Sequence, residues 1–250
     1  MNLQFESSDS FLNGFLQPIS RITDSGILKV EPEKLSALIS TGDGTIIVYG
    51  EYYQKFPDVT QPVSLNIPDV KKLLKLLCLI DGPLNLSIDA KDNHNNISYS
   101  SSSVRFKYHL YEDGIIKIPS LNMAKLKTID FDTTFTIKSD RLLNLLKGST
   151  LSPDVSKMYL TFTDGVIHGE ITDKARHNVD SYACILSDSI TGTQPKNGTS
   201  IPINFEIIRL LTGSKLTEFK VKLATKLSVF NFEVATDKVS LNYIVSALIN

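Results

Sequence analysis

One element recurs four times along this 250-residue chain: a short alternating run that leads into an amphipathic helix. The copies read LQFESSDSFLNGFL, VSLNIPDVKKLLKLL, FTIKSDRLLNLLKG and SIPINFEIIRLL, with helix starts near residues 9, 69, 140 and 204. A spacing of roughly 60 to 70 residues is the signature of a repeated structural unit. Each interval also holds three or four strand-like stretches. Four copies of a strand, helix and strand-meander module fill the chain, which predicts an α+β fold of two similar domains with two modules each.

The strand-like stretches are rich in β-branched and aromatic residues and alternate in polarity. They are GILKVE, TIIVYGEYY, LNLSIDAKDNHNNISYS and VRFKYHLY in the first half. In the second half they are KMYLTFTDGVIHGEI, SYACILS, EFKVKLA, SVFNFEVATD and VSLNYIVSALI. Asp164-Gly165 between two such runs marks a tight hairpin. Ser, Asp or Asn near most helix starts suits an N-cap; Pro18 is expected to end the first helix, and Gly148 and Gly213 to close the later two. The rhythm breaks in YEDGIIKIPSLNMAKLKTID (111–130), which predicts domains over 1–113 and 130–250 joined by a connector over 114–129. SDSITGTQPKNGTS (187–200) reads as an exposed loop inside the second domain.

On a helical wheel Lys71, Lys72 and Lys75 oppose Val70, Leu73, Leu74, Leu77 and Ile80. Arg141, Asn144 and Lys147 oppose Leu142, Leu143, Leu145 and Leu146. Glu206, Arg209 and Thr212 oppose Ile207, Ile208, Leu210 and Leu211. The segments 9–21, 69–80, 138–147 and 204–215 carry net charges of 0, +2, +2 and +1, in a chain whose total is −1. The rest therefore carries −6. Positive charge is concentrated on the helices of an otherwise acidic protein; solvated helix faces are the plain alternative.

Hydrophobic residues make up 42% of the chain, enough for a sizeable core. The N-terminus lacks a basic start and an apolar segment, and no apolar run nears the roughly 20 residues of a membrane span. A soluble, cytoplasmic protein is expected. Cys78 and Cys184 both sit in apolar segments, which predicts buried free thiols. TGDGTIIVYG lacks the Lys-Ser/Thr ending of a phosphate-binding loop. His94, His109, His168 and His177 have no zinc-ligand spacing, and His168 with Glu170 reads as a surface pair on one strand. No Ser, His and Asp constellation stands out. The expectation is no catalytic residue, no metal and no cofactor.

Four modules in two domains, a mid-chain connector and basic helices resemble a DNA sliding clamp of the proliferating cell nuclear antigen family, with the T4-type bacteriophage clamp the nearer likeness. SDRLLNLLKGS, MYLTFTDGVIHGEI and the ending KVKLATKLSVFNFEVATDKVSLNYIVSALIN carry the resemblance, which covers the whole chain as an order of features. It implies a homotrimeric ring with helices inside and sheets outside, enclosing double-stranded DNA without reading sequence. Lys71, Lys72, Lys75, Arg141, Lys147 and Arg209 would then face DNA. An ATP-dependent clamp loader and a DNA polymerase would be partners. The edge near VRFKYHL would pair with the edge near SYACILS of a neighbouring subunit. The resemblance also implies a peptide groove between connector and C-terminus. There Ile116, Ile118, Leu121, Val245 and Leu248 are apolar where exposure is expected; pinning the connector to the sheets is the alternative. A β-rich viral structural protein is the competing reading of the chain, and an enzyme on another fold is a third.

Overall fold

The computed structural model describes residues 1–89, 95–117, 128–154, 156–174, 176, 178–213 and 216–248. The chain divides into two units, Met1–Ser120 with Ala235–Leu241, and Leu121–Val234 with Asn242–Asn250.

In the first unit β1 (Asn2–Phe5) runs into a π-helical segment, Ser10–Leu16, that continues as α1 (Gln17–Ser20). The meander β2 (Gly26–Glu31), β3 (Lys34–Ser40) and β4 (Ile46–Tyr53) follows. Then come β5 (Val63–Ile67), α2 (Val70–Leu77) and a second meander of β6 (Leu84–Asp89), β7 (Asn96–Ser100) and β8 (Arg105–His109). The lead strands change places: β1 pairs antiparallel with β6, and β5 with β2. The resulting strand orders are β1-β6-β7-β8 and β4-β3-β2-β5. Neither module can complete its sheet alone.

The second unit repeats the device. Its first module is β9 (Thr133–Lys138), α3 (Ser139–Gly148), β10 (Lys157–Thr163), β11 (Val166–Ile171), β12 (Tyr182–Ser187) and the short β13 (Ile190–Gly192). Its second is β14 (Thr199–Asn204), α4 (Glu206–Thr212), β15 (Glu218–Ala224), β16 (Val229–Ala235) and β17 (Val239–Ser246). Again β9 pairs with β15 and β14 with β10, in the orders β12-β11-β10-β14 and β13-β9-β15-β16-β17.

The cores follow from the alternation. In the first unit Phe11 and Phe15, one turn apart, meet Phe5, Tyr52 and Phe56, with Phe5 and Phe11 stacked at 4.0 Å between ring centroids. In the second, Leu142 and Leu145 of α3 and Ile207, Ile208, Leu210 and Leu211 of α4 are buried with Phe135, Phe162 and Phe219. Fully burying each such side chain is worth about 1.5–3 kcal/mol. At Asp164-Gly165 both φ angles are positive, 52° and 76°, the two-residue turn that matches strand twist.

Several sequence expectations are corrected. Pro18 does not end the first helix, which runs on to Ser20; proline lacks an N–H and sits in the first turn of α1, where the missing donor is tolerated. Gly148 is the last residue of α3 with φ near −60°, and Gly213 has φ −80°, so neither takes a left-handed cap. KLSALIS forms β3, and the stretch 187–200 contains β13, which pairs with β9. Cys78 is exposed and Cys184 half-buried, both as free thiols. Cys78 lies seven residues after Lys71 and three after Lys75, and so falls on the polar side of its helix. Leu143 is exposed beside Asn144 rather than part of the packed face of α3.

Candidate nucleic-acid interface

The cations of the first unit stand on α2. Asp69 caps this helix, its carboxylate accepting the Lys72 N–H at 2.8 Å. Tyr108 on β8 fixes the same turn: its hydroxyl donates to the Asp69 carbonyl at 2.7 Å and accepts the Asp69 N–H at 2.9 Å. Burial pushes this phenol up to about 12, so it remains a donor at every physiological pH. With Val70, Leu73 and Leu77 buried beneath, Lys71, Lys72 and Lys75 are held outward. The first helix carries no cation on its exposed side, where Asn13 donates to Asp9 at 2.6 Å.

In the second unit α3 presents Arg141 and Lys147, and α4 presents Arg209. Neither helix has a side-chain hydrogen bond from its N-cap residue; instead Asp140 accepts the Arg141 N–H and Asn204 accepts the Glu206 N–H, at 2.8 and 2.9 Å. Gly148 lets the end of α3 lie against Tyr182 of β12. Three of the six predicted cations are ion-paired: Lys71 with Asp24, Arg141 with Asp188 and Arg209 with Glu206. Among the described residues Lys72, Lys75 and Lys147 have no carboxylate within ion-pairing distance. The acid partners Asp24 and Asp188 lie outside the helices, where no sequence periodicity points to them.

The strands expected to meet a neighbouring subunit are both at sheet edges. β8 ends one four-stranded sheet and shows Arg105, Lys107 and His109; β12 ends another and shows Ala183 and Ile185, the latter 47% exposed.

The apolar candidates separate. Ile116 lines a groove of about 260 Å³ with Ile27, Leu38, Ile39, Tyr111 and Ile115, all in the first unit. Asn66 positions this stretch: its side chain donates to Asp113 at 2.7 Å and its carbonyl accepts the Tyr111 N–H at 2.9 Å. Ile115, 56% exposed, has the same signal as Ile116, an apolar residue in the connector, and Leu38 is an apolar residue on the outward side of an alternating strand. Ile118 and Leu121 lie outside the described residues, as do His94 and His177. Val245 is fully buried in β17, because its alternation places it with Leu241 and Tyr243 in the interior, so it cannot line an exposed groove. Leu248 is half-buried and donates its N–H to the Pro202 carbonyl at 2.8 Å.

His168 and Glu170 share one face of β11, with Glu170 held by Lys174 at 2.8 Å. Among the described residues no cluster of His, Cys, Asp or Glu could hold a metal ion, and no helix is long and apolar enough to cross a membrane.

No family model and no curated protein matches the sequence at significance. Solved structures do match, over nearly the whole of both chains. The proliferating cell nuclear antigen of Entamoeba histolytica aligns with a TM-score of 0.77 at 14% identity, covering 99% of this chain and 98% of that one. The chain has the sliding-clamp fold. The A. fulgidus clamp, determined with the C-terminal region of FEN-1 bound, aligns with a TM-score of 0.73 at 9% identity over 100% and 98% of the two chains. The Thermococcus kodakaraensis clamp aligns at 0.71 and 13% over 99% of each. In the sliding-clamp fold of this chain, the repeated element read from the sequence is the lead strand and helix of each interchanged module.

Proposed function

We propose that this chain is a sliding clamp: a homotrimeric ring that encloses duplex DNA and tethers a DNA polymerase, placed on DNA by a separate ATP-dependent loader. The observation that carries the reading is the end-to-end match of both units to clamp structures, joined to cations held outward on α2, α3 and α4. A three-membered ring needs a head-to-tail contact between two different edges, and β8 and β12, each at the end of a four-stranded sheet, supply such a pair. Domains over 1–113 and 130–250 with a connector over 114–129 belong to this proposal, as does the nearer affinity to bacteriophage clamps. The chain acts as a scaffold, without chemistry of its own.

Lys71, Lys72, Lys75, Arg141, Lys147 and Arg209 would meet phosphates through long, exchangeable side chains, giving attraction that does not read sequence. The groove beside Ile115 and Ile116 would accept a short apolar peptide tail from the polymerase or loader, and Ile118 and Leu121 stay among the proposed partner-binding residues on the resemblance alone. The FEN-1 segment bound to the A. fulgidus clamp supports a peptide-docking role for this fold. Reversing Lys72, Lys75 and Lys147 to Glu tests the DNA-facing assignment. The ring should still assemble by native mass spectrometry while processive synthesis by the cognate polymerase falls at least tenfold. Unchanged processivity with an intact ring would refute the assignment.

A further inference from the structure

We propose that Asp24, Asp188 and Glu206 compete with DNA phosphates for the cations of the helix faces and thereby set how loosely DNA is held; this rests on those faces meeting DNA. Lys71 Nζ lies 2.8 Å from Asp24 Oδ1, Arg141 Nη2 lies 2.7 Å from Asp188 Oδ2, and Arg209 Nη1 lies 2.9 Å from Glu206 Oε2. The three pairs arise in three different ways. Asp24 is brought from the turn between α1 and β2, Asp188 from the turn between β12 and β13, and Glu206 from one turn earlier on α4 itself. Each unit therefore supplies carboxylates to cations that its helices present.

The cationic face is divided as a result. Lys72, Lys75 and Lys147 stand ready for an anion, whereas Lys71, Arg141 and Arg209 already hold one. The held pairs are open to exchange. Asp24 and Asp188 are 84% and 69% exposed, so water and ions reach them and the pairs are only weakly favoured over separated charges. Asp24 pushes the Lys71 amine up, and the Arg141 guanidinium holds Asp188 below the usual carboxylate range. An arriving phosphate replaces a carboxylate with another anion, so gaining a contact means losing one. The net gain per cation is then smaller than for a free lysine. A protein that must stay on DNA and still move along it benefits from contacts that exchange at little net cost. Carboxylates of this kind weaken the grip without reducing the number of cations available.

Salt dependence provides the test, because each phosphate newly neutralised on duplex DNA steepens the log–log slope of binding against salt by about 0.9. The variant Asp24→Asn, Asp188→Asn, Glu206→Gln is compared with a control of equal net charge, Glu112→Gln, Asp154→Asn, Asp237→Asn. The control carboxylates are exposed and hold no cation among the described residues. Binding of the full-length protein to a short fluorescein-labelled linear duplex is followed by anisotropy over a series of salt concentrations. The first variant should bind more tightly than the control, with a slope steeper by about 1 to 3. Identical slopes in the two variants would overturn the competition. A third variant, Lys72→Ala, Lys75→Ala, Lys147→Ala, distinguishes the two levels of failure. If its slope is shallower than that of the unmodified protein while the two carboxylate variants agree, DNA meets the helices and only the competition fails. If its slope is unchanged, the DNA-facing assignment fails and the competition falls with it.

Discussion

Gly148 illustrates how the same residue type serves a different purpose from the one its position suggests. A Gly after a leucine-rich helix reads as a left-handed cap, yet its backbone is right-handed and a Cβ built there would stand 2.1 Å from Tyr182 Cδ1. The requirement is room for the ring on β12, a long-range contact that no local pattern contains. Replacing Gly148 by Ala should therefore cost about 1–3 kcal/mol through overpacking, read as a lower denaturant midpoint with an unchanged slope. Glu51 is a second residue whose role emerges only when strands pair. It accepts hydrogen bonds from Lys34, Tyr49 and Tyr53, the last two at 2.7 Å. Burial opposes its ionisation, but these donors outweigh it and hold the carboxyl below the ordinary value of 4.5. Its contribution to stability is thus fully present above pH 4.5 and is lost as pH falls through the lower folded value. Glu51→Gln should lose less stability than the unmodified protein between pH 6 and pH ~3, measured by urea unfolding at each pH. An equal loss in both would remove Glu51 from the acid response.

At the scale of elements, the helices were the most legible part of the chain because their burial follows a fixed 100° step. Ile207, Ile208, Leu210 and Leu211 are all buried as that step predicts. The exceptions are instructive: Leu143, set on the apolar side of its helix in the sequence reading, is exposed because it lies about 40° from Lys147, and Cys78, expected to be buried, is exposed on the lysine side. The π-helical form of the first helix was not legible, since Phe11, Phe15 and Leu16 suit either winding. Strand pairing was not legible either. Alternation shows which side of β1 or β9 is buried but not that each joins the other module's meander, because the partner strand lies beyond any local window. Which strands remain at an edge is likewise a property of the assembled sheet. Ile185 on the β12 edge offers a test of the proposed subunit contact. Ile185→Lys should leave the unit folded, since the side chain is already 47% exposed, but shift the assembly from trimer to monomer in native mass spectrometry. A trimer of unaltered stability would place the contact on another edge.

For the molecule as a whole, the sequence showed a fourfold plan and a charge bias, and the structure supplies the reason they coincide. Interchanged lead strands make each pair of modules one folding unit, and every helix then has a buried side and a free side. Charge accumulates on the free sides of α2, α3 and α4. The grouping of Ala235–Leu241 with the first unit could not be read from the chain, because it depends on contacts such as the Tyr53 N–H to the Lys238 carbonyl at 2.8 Å. The groove was half legible: Ile116 was marked by being apolar in a connector, whereas Leu38 and Ile39 join it only through the fold. The central claim is that this protein holds DNA by enclosing it. The most direct measurement is retention on nicked circular DNA, after loading in cell extract with ATP, before and after a single restriction cut. The account predicts stable retention on the circle at moderate salt and rapid loss once an end is created. Equal retention on circular and linear DNA would contradict it.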